Sequence, residues 1–183
     1  QQAGGRLLSA TLASGATLAG DAFVNAAGPW AGAVAALAGW TVPVFARRRT
    51  VFVMRCPSAL PPTPLVVDAS GVWFRSEGAA FIGGWSPGDG DDDPDDLPLD
   101  QPDLAQFEQQ VWPAMAHRVP AFEALRMQRA WAGYYEVHPL DHNALIGPHP
   151  ACANFWLCNG FSGHGLQHAP GAGRGIAEQL LTG

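Results

Sequence analysis

The sequence predicts an α+β fold in which two pieces of an α/β domain flank a mainly antiparallel β-sheet. The first observation is that the chain begins and ends with a strand, a glycine-rich turn and a helix, near residues 22–38 and 154–181. The second is that the middle consists of short β-branched and aromatic segments separated by turns, which is typical of antiparallel strands. We therefore expect the boundaries 1–40, 41–150 and 151–183, with the first and last segments in one domain.

The composition excludes several classes of protein. Hydrophobic residues make up 48% and charged residues 14% of the 183 positions, so the chain can bury a core and is not disordered. No apolar run approaches the ~20 residues of a membrane helix. Three cysteines are too few for a disulfide framework, which favours a reducing compartment and a cytoplasmic location.

The charge is distributed unevenly along the chain. Eight of the sixteen acidic residues are aspartates between Asp89 and Asp103, in an acidic loop predicted at 86–103. Their spacing resembles a calcium loop, but Pro94 stands where such a loop needs glycine, so a solvated loop is favoured. All ten basic residues are arginines, and 47–49 is their one cluster, so we expect no nucleic-acid partner.

The first strand–glycine–helix unit follows a hairpin that turns at Gly15. Residues 22–25 are predicted as a strand that ends at Gly28. Pro29 suits the first turn of a helix that runs to Ala38 and stops at Gly39.

The middle and the end of the chain continue this pattern. Residues 42–56 are the longest predicted strand. Residues 103–117 are predicted as a helix because apolar side chains recur there at spacings of three and four. The remaining predicted elements are strands at PLVVD, VWFR, AAFIGGW, 127–137 and 154–159, and a last helix ending at Leu181.

The sequence GFSGHG at 160–165 lies between the last strand and the last helix. Its three glycines let the backbone approach a flat or anionic ligand, and the start of the helix offers unpaired N–H groups. The alternative is an ordinary tight strand-to-helix turn.

Four segments occur in the order found in one flavoprotein superfamily. They are VNAAGPWAG (24–32), PVFARRRTVFV (43–53), GYYEVHPLDHNALIGPHP (133–150) and NFWLCNGFSGHGLQHAPGAGRGIAE (154–178). The chain resembles the C-terminal portion of the D-amino-acid oxidase, sarcosine oxidase and dimethylglycine dehydrogenase superfamily of FAD-dependent oxidoreductases. Within it, the chain is most similar to the FAD-dependent oxidoreductase domain-containing proteins.

The resemblance implies that the flanking pieces complete a Rossmann-like FAD-binding domain around an antiparallel substrate domain. Members of the superfamily open with a G-x-G-x-x-G region that holds the FAD pyrophosphate, and this sequence lacks it. We therefore expect a fragment that lacks the N-terminal half of its chain and is inactive by itself.

The resemblance also assigns roles to individual residues. Those implied to contact FAD are Ala26, Ala27, Gly28, Trp30, Gly160, Phe161, Ser162, Gly163, His164, Gly165, Leu166 and Gln167. Those implied to line the substrate site are Arg48, Arg49, Trp85, Tyr134 and Tyr135, with arginine as the carboxylate ligand. Exposed strand arginines and core aromatic residues are the alternatives for this second group.

Two departures from the sarcosine oxidases refine the expectation. Those enzymes carry an oxygen-activating lysine after the glycine-rich segment, where this chain has Gln167, so a dehydrogenase is favoured over an oxidase. They also attach FAD through a cysteine near the position of Tyr134, so non-covalent FAD is expected here.

The expected activity is oxidation of the C–N bond of an amine, an N-methyl amino acid or a D-amino acid, with hydride transfer to the flavin. The alternative is a flavin-bearing assembly or scaffold protein, related to respiratory-complex assembly factors, with little turnover. Peripheral association with a respiratory membrane would fit that alternative. No metal site is expected, because Pro139 breaks the helical face that His138 and His142 would need.

Overall fold

The fold is described from a computed structural model, which covers residues 1–88 and 97–182. The chain divides into two compact units, of which unit 1 comprises Gln1–Ala46 and Tyr135–Gly183 and unit 2 comprises Arg47–Tyr134. These units divide after Ala46 and Tyr134, whereas the sequence predicted divisions after residues 40 and 150. Residues 89–96 of the predicted acidic loop lie outside the described residues.

Twelve strands and three helices are formed by the described residues. In chain order they are β1 (Gln2–Ala3), β2 (Arg6–Leu7), β3 (Ser9–Thr11), β4 (Thr17–Ala19), β5 (Phe23–Asn25), α1 (Ala31–Ala36), β6 (Phe45–Arg55), β7 (Val66–Val67), β8 (Val72–Glu77), β9 (Ala80–Trp85), α2 (Trp112–Arg118), β10 (Arg126–Val137), β11 (Leu145–His149), β12 (Cys152–Asn159) and α3 (Gly165–Thr182). Short 3-10 turns occupy Gly28–Trp30 and Pro120–Ala124, and a π-helical turn at Phe107–Val111 leads into α2.

Unit 1 contains a three-stranded sheet in the order β11-β12-β5. β12 runs parallel to β5, with Phe155 opposite Phe23 and Leu157 opposite Asn25, and antiparallel to β11. Each of the two parallel strands is followed by a glycine turn and a helix, α1 after β5 and α3 after β12. The carboxyl ends of both strands therefore meet at one edge of the sheet.

Unit 2 contains an antiparallel sheet in the order β10-β6-β9-β8-β7. Alternate residues of β6 and β8 are buried, as expected for strands with one face on the core. The π-helical turn and α2 bury Phe107, Val111 and Met115 in the same apolar cluster. Unit 2 is thus a sheet covered by one helical segment.

The predicted fold class is confirmed: helices and parallel strands lie at the ends of the chain, and antiparallel strands lie between them. The predicted helix at 103–117 is a π-helical turn followed by α2. The spacing of its apolar residues indicated a helical segment correctly, but it did not distinguish the π-helical turn from an α-helix. Strand β11 was not predicted, because its Gly147 and Pro148 are typical turn residues. Within the described residues, every helix is too short or too polar to cross a membrane.

Candidate functional site

Two segments of the predicted cofactor site leave the same edge of the unit 1 sheet. Ala26, Ala27, Gly28 and Trp30 follow β5, and residues 160–167 follow β12, its parallel neighbour. In open α/β sheets, ligands bind outside the carboxyl ends of parallel strands. The geometry of the sheet therefore brings the two sequence-predicted segments to one place.

Buried asparagines shape this edge. Asn25 donates from Nδ2 to the carbonyl of Ala31 at 2.9 Å and accepts the N–H of Ala27 at Oδ1, at 3.2 Å. Asn159, which is completely buried, donates from Nδ2 to the carbonyl of Asn25 at 3.1 Å. These bonds join the end of β12 to the end of β5 and hold the turn that follows β5. Within the described part of the chain, Asn159 Oδ1 is a buried oxygen that accepts no hydrogen bond.

The loop 160–165 requires glycine for two different reasons. Gly160 and Gly163 have positive φ, at 77° and 94°, which favours glycine, and Ser162 between them adopts a positive φ of 49° as a non-glycine residue. At Gly163 space also matters, because a Cβ there would lie 2.4 Å from Cε2 of Tyr135. The backbone at Gly163 therefore lies directly on the Tyr135 ring, as no other residue would allow.

The amides of the loop fall into two groups. The first group is used internally: Ser162 donates to the Glu136 carbonyl at 3.0 Å and His164 to the Phe161 carbonyl at 2.9 Å. The second group belongs to the first turn of α3, where Gly165, Leu166 and Gln167 have no intrahelical acceptor by construction. These amides and the positive end of the helix dipole form a site for negative charge.

Apolar side chains beside this edge face solvent. Leu166 is 90% exposed and Trp30 is 61% exposed, although both lie in the cofactor segments predicted from sequence. Exposed apolar surface of this kind, next to free amides, suits a flat ligand with a polar edge.

A carboxylate lies beneath the loop. Glu136, near the end of β10, accepts the N–H of Gly160 at Oε2, at 3.0 Å, and the N–H of Phe161 also bonds to it. Burial raises the pKa of Glu136 above the ordinary 4.5, and the two amide bonds oppose that rise. Burial and the Glu136 charge together raise the pKa of the Cys158 thiol.

The histidines make local contacts. His138 is buried, and its Nδ1 lies 3.0 Å from Oδ1 of Asp141. Bonds from Asn143, chiefly its backbone N–H, lower the pKa of Asp141. His164 and His168 stack at 6.1 Å between ring centroids. Across the described ranges, no three His, Cys, Asp or Glu side chains converge in a way that could hold a metal ion.

The two predicted substrate tyrosines are adjacent on β10, so their side chains point to opposite faces of the strand. Tyr135 belongs to unit 1 and lies against Gly163. Tyr134 belongs to unit 2, where its hydroxyl donates to the Leu97 carbonyl at 2.7 Å. Tyr135 is therefore placed beside the predicted cofactor loop.

The other predicted substrate residues make contacts within unit 2. Arg48 donates to the carbonyl of Gln101 at 2.7 Å, and Arg49 donates to the carbonyl of Arg48 at 2.9 Å. Trp85 donates from Nε1 to the carbonyl of Ser70 at 3.1 Å. A cavity of about 670 Å³ in unit 2 is lined by other residues, including Arg55 and Arg126. The predicted substrate residues are thus not gathered in that cavity.

Sequence reasoning missed Glu136 and the buried asparagines. The one signal at Glu136 is an acidic residue inside the aromatic and apolar stretch GYYEV, where a strand usually carries none. Asn25 and Asn159 each end a strand just before a glycine turn, which is a position where a side chain can bond to neighbouring backbone.

Comparison with known proteins gives a consistent result. The family model described as "FAD dependent oxidoreductase", DAO, matches residues 1–179. FAD-dependent oxidoreductase domain-containing protein 1 of Bos taurus is 43% identical over 175 residues, covering 87% of this chain and 35% of that protein. Human mitochondrial sarcosine dehydrogenase is 30% identical over 166 residues, covering 87% of this chain and 18% of that protein. The chain thus spans about a third or less of these relatives.

Solved structures share the fold. L-proline dehydrogenase from P. horikoshii matches with a TM-score of 0.83 and 24% identity, covering 98% of this chain and 47% of that one. Glycine oxidase from Geobacillus kaustophilus matches with a TM-score of 0.77 and 20% identity, covering 93% of this chain and 44% of that one.

Proposed function

The chain belongs to the DAO family of FAD-dependent oxidoreductases, and from that premise we propose that its protein oxidises the C–N bond of an amine or amino acid. The observation that carries the proposal is the loop 160–165, where Gly163 is pressed against Tyr135 and the first-turn amides of α3 follow at once. The named relatives and structural neighbours include a sarcosine dehydrogenase, a proline dehydrogenase and a glycine oxidase, all named for amino-acid substrates.

The residues of this edge fit a flavin. The glycine turns leave room for a flat ligand, since a Cβ at Gly28 would meet only Glu136 Oε2, at 3.9 Å. The buried Asn159 Oδ1, which accepts no hydrogen bond within the described residues, fits an edge that a polar ligand completes. The residues that would hold FAD, without a covalent bond, are 26–28, Trp30 and 160–167.

When bound, FAD supplies the acceptor for a hydride from the carbon beside the substrate nitrogen, leaving an imine that water hydrolyses. The part played by this chain is electrostatic. The amides of Gly165, Leu166 and Gln167 and the dipole of α3 stabilise negative charge on the bound group, and they are fixed in place before it develops. The substrate contacts of Arg48, Arg49, Trp85, Tyr134 and Tyr135 stay a prediction.

A dehydrogenase rather than an oxidase is supported by the first turn of α3. Gln167 is exposed there, and no lysine occurs anywhere in the chain. A neutral amide offers no cation to stabilise the charge that forms when reduced flavin passes an electron to oxygen. We expect the reduced protein to react slowly with oxygen and to pass its electrons to another acceptor.

The experiment uses the purified protein carrying FAD. Mixing with N-methyl and D-amino acids without oxygen should bleach the oxidised flavin absorbance for at least one substrate. Oxygen is then admitted and the rate of reoxidation is measured. Gln167→Lys should raise that rate about tenfold, corresponding to about 1.4 kcal/mol of added stabilisation. The matched control is Gln179→Lys, on an exposed position near the other end of α3, which should leave the rate unchanged.

A second function is a flavin-bearing assembly or scaffold protein with little turnover. The observation that favours it is that the bovine and mouse relatives, 43% and 45% identical, are named for a domain and not for a substrate. A flavin that no amine reduces, in a protein that co-purifies with respiratory subunits, would support this function and contradict the oxidoreductase. Rapid reoxidation of the unmodified protein would contradict only the choice of dehydrogenase.

A further inference from the structure

The end of strand β10 holds the glycine-rich loop along its backbone. Ser162 donates its N–H to the carbonyl of Glu136 at 3.0 Å, and His138 donates its N–H to Oγ of Ser162 at 3.1 Å. Ser162 reaches these partners with a φ of 49°, a conformation that L residues rarely adopt. The loop is therefore held in a conformation that it would not choose in isolation.

The Glu136 side chain reaches every segment of the edge. Its Oε2 accepts the N–H of Gly160 at 3.0 Å and lies 3.9 Å from where a Cβ of Gly28 would stand. Its Oε1 lies 3.6 Å from the corresponding point at Gly165, the first residue of α3. One carboxylate thus binds the loop after β12 and lies near the turn after β5 and the start of the helix.

A carboxylate is suited to this place because it only accepts hydrogen bonds. It draws the N–H groups of Gly160 and Phe161 inward. The amides of Gly165, Leu166 and Gln167, in the first turn of α3, are a different set and have no intrahelical acceptor. Glu136 therefore binds amides of the loop just before the helix whose first-turn amides are proposed to face the ligand.

We propose that Glu136 is a positioning residue that holds the loop 160–165 in the shape which offers Gly163 and the first turn of α3 to the flavin. The proposal rests on the function proposed above. Glu136 donates nothing to the ligand in this role, because both of its oxygens face the loop and the glycines around it. Its effect on the flavin passes through the backbone of the loop.

Cys158 is coupled electrostatically to Glu136, and His138 lies beside Gly160, where its ring bonds to Asp141. Gly28, Gly160 and Gly165 present no side chain to Glu136. Cys158 of β12 faces it as a thiol whose pKa is raised by burial and by the Glu136 charge, so the thiol stays neutral in the acid range. Acidification should therefore act on the loop through the Glu136 carboxyl.

The experiment compares the purified protein with Glu136→Gln, which keeps the side-chain shape and removes the charge. In the protein freed of FAD, amide hydrogen exchange at Gly160 and Phe161 should lose about tenfold in protection, since glutamine replaces one acceptor oxygen by an NH2 group that cannot accept a hydrogen bond. The dissociation constant for FAD, measured by titration, should rise about tenfold. Glu178→Gln is the matched control, because Glu178 pairs with Arg174 on an exposed part of α3.

A pH series separates a positioning role from a general structural one. Because burial raises the pKa of Glu136, protection of the two amides in the unmodified protein should rise as the pH falls through that pKa, whereas in Glu136→Gln it should not change with pH. Unchanged protection and unchanged FAD affinity in the variant would overturn the proposal. If the unmodified protein binds no FAD, the proposed function is wrong. Exchange then still decides on Glu136: lost protection supports it as the residue that holds the loop, and unchanged protection overturns it.

Discussion

Of the six buried polar side chains in the described residues, five lie in unit 1, and Thr50 alone lies in unit 2. The apolar clusters show the reverse distribution. The cluster of unit 2 has ten buried members, seven of them phenylalanine or methionine and one of them leucine, whereas the cluster of unit 1 has seven and includes two alanines and a cysteine. The two units are therefore stabilised by different chemistry.

This difference has a consequence for function. Burial of apolar surface contributes about 25 cal/mol of free energy per Å², and this contribution does not depend on the orientation of the side chains. A buried hydrogen bond contributes only about 1 kcal/mol net, but it fixes two groups at a set distance and angle. In unit 1, Asn154 bonds both the N–H and the carbonyl of Leu7, and Asn159 bonds the carbonyl of Asn25. These hydrogen bonds fix the positions of backbone segments in unit 1, whereas the large apolar core is the main stabilising feature of unit 2.

The largest effect is expected at the centre of the unit 2 core. Phe122 is completely buried, and its ring meets Phe74 and Phe81 edge-on at 5.5 and 4.8 Å between centroids. Phe122→Ala should lower the free energy of unfolding of unit 2 by about 4 kcal/mol, because it removes these contacts and leaves a cavity. Urea denaturation followed by tryptophan fluorescence measures the loss.

The control for this prediction is an exposed apolar residue of the same unit. Leu65 is 52% exposed, so Leu65→Ala should change the free energy of unfolding by less than about 0.5 kcal/mol. Equal losses in the two variants would show that the aromatic cluster is not the main source of stability in unit 2.

A smaller loss of stability and a larger loss of ligand binding are expected at Gly163 in unit 1. Its φ is 94° and a Cβ would lie 2.4 Å from the Tyr135 ring, so Gly163→Ala should cost about 3 kcal/mol in folding and weaken FAD binding. Gly39 has a similar φ of 80° with nothing within 4 Å of its Cβ position. Gly39→Ala should therefore cost only about 1 kcal/mol, the strain of the backbone alone. Equal losses would mean that contact with Tyr135 is unimportant.

The sequence was more informative about unit 2 than about the site. Strands β6, β8, β9 and β10 follow from β-branched and aromatic runs, because one-sided burial demands such runs. The loop 160–165 was identified from its glycines, which are local signals. Glu136 was not identified, because its importance depends on Gly160, 24 residues away along the chain, and no local pattern encodes such a pairing.

The same reason explains the substrate residues. Arg48 was selected because guanidinium suits a carboxylate, but in the structure it donates to the carbonyl of Gln101, 53 positions away. Residue type predicts what a side chain is able to bind. Which of several acceptors it meets is decided by the fold, and Tyr134 and Tyr135, adjacent in sequence but in different units, show the same limit.

The smallest predicted effect contrasts one carboxylate of each unit by its pH dependence. In unit 1, burial raises the pKa of Glu136 above 4.5, so the folded protein keeps this proton to higher pH than the unfolded chain does. Its contribution to stability is therefore complete below pH 4.5 and is lost as the pH rises through the folded pKa. In unit 2, bonds from the Ser70 backbone N–H and from Arg118 lower the pKa of Asp68 below 3.8. Its contribution is present above pH 3.8 and is lost on further acidification.

Neutralising Glu136 or Asp68 should remove the part of the pH dependence of unfolding that belongs to that carboxylate. The free energy of unfolding is measured against pH for the unmodified protein, Glu136→Gln and Asp68→Asn. Glu136→Gln should lose part of the decline above pH 4.5 and retain the acid limb, whereas Asp68→Asn should lose part of the acid limb only. A variant of Glu136 that flattens the acid limb instead would mean that its hydrogen bonds to the loop outweigh its burial. The loop of unit 1 would then stabilise the ionised form of Glu136, whereas the raised pKa of Glu136 predicts that the folded protein disfavours that form.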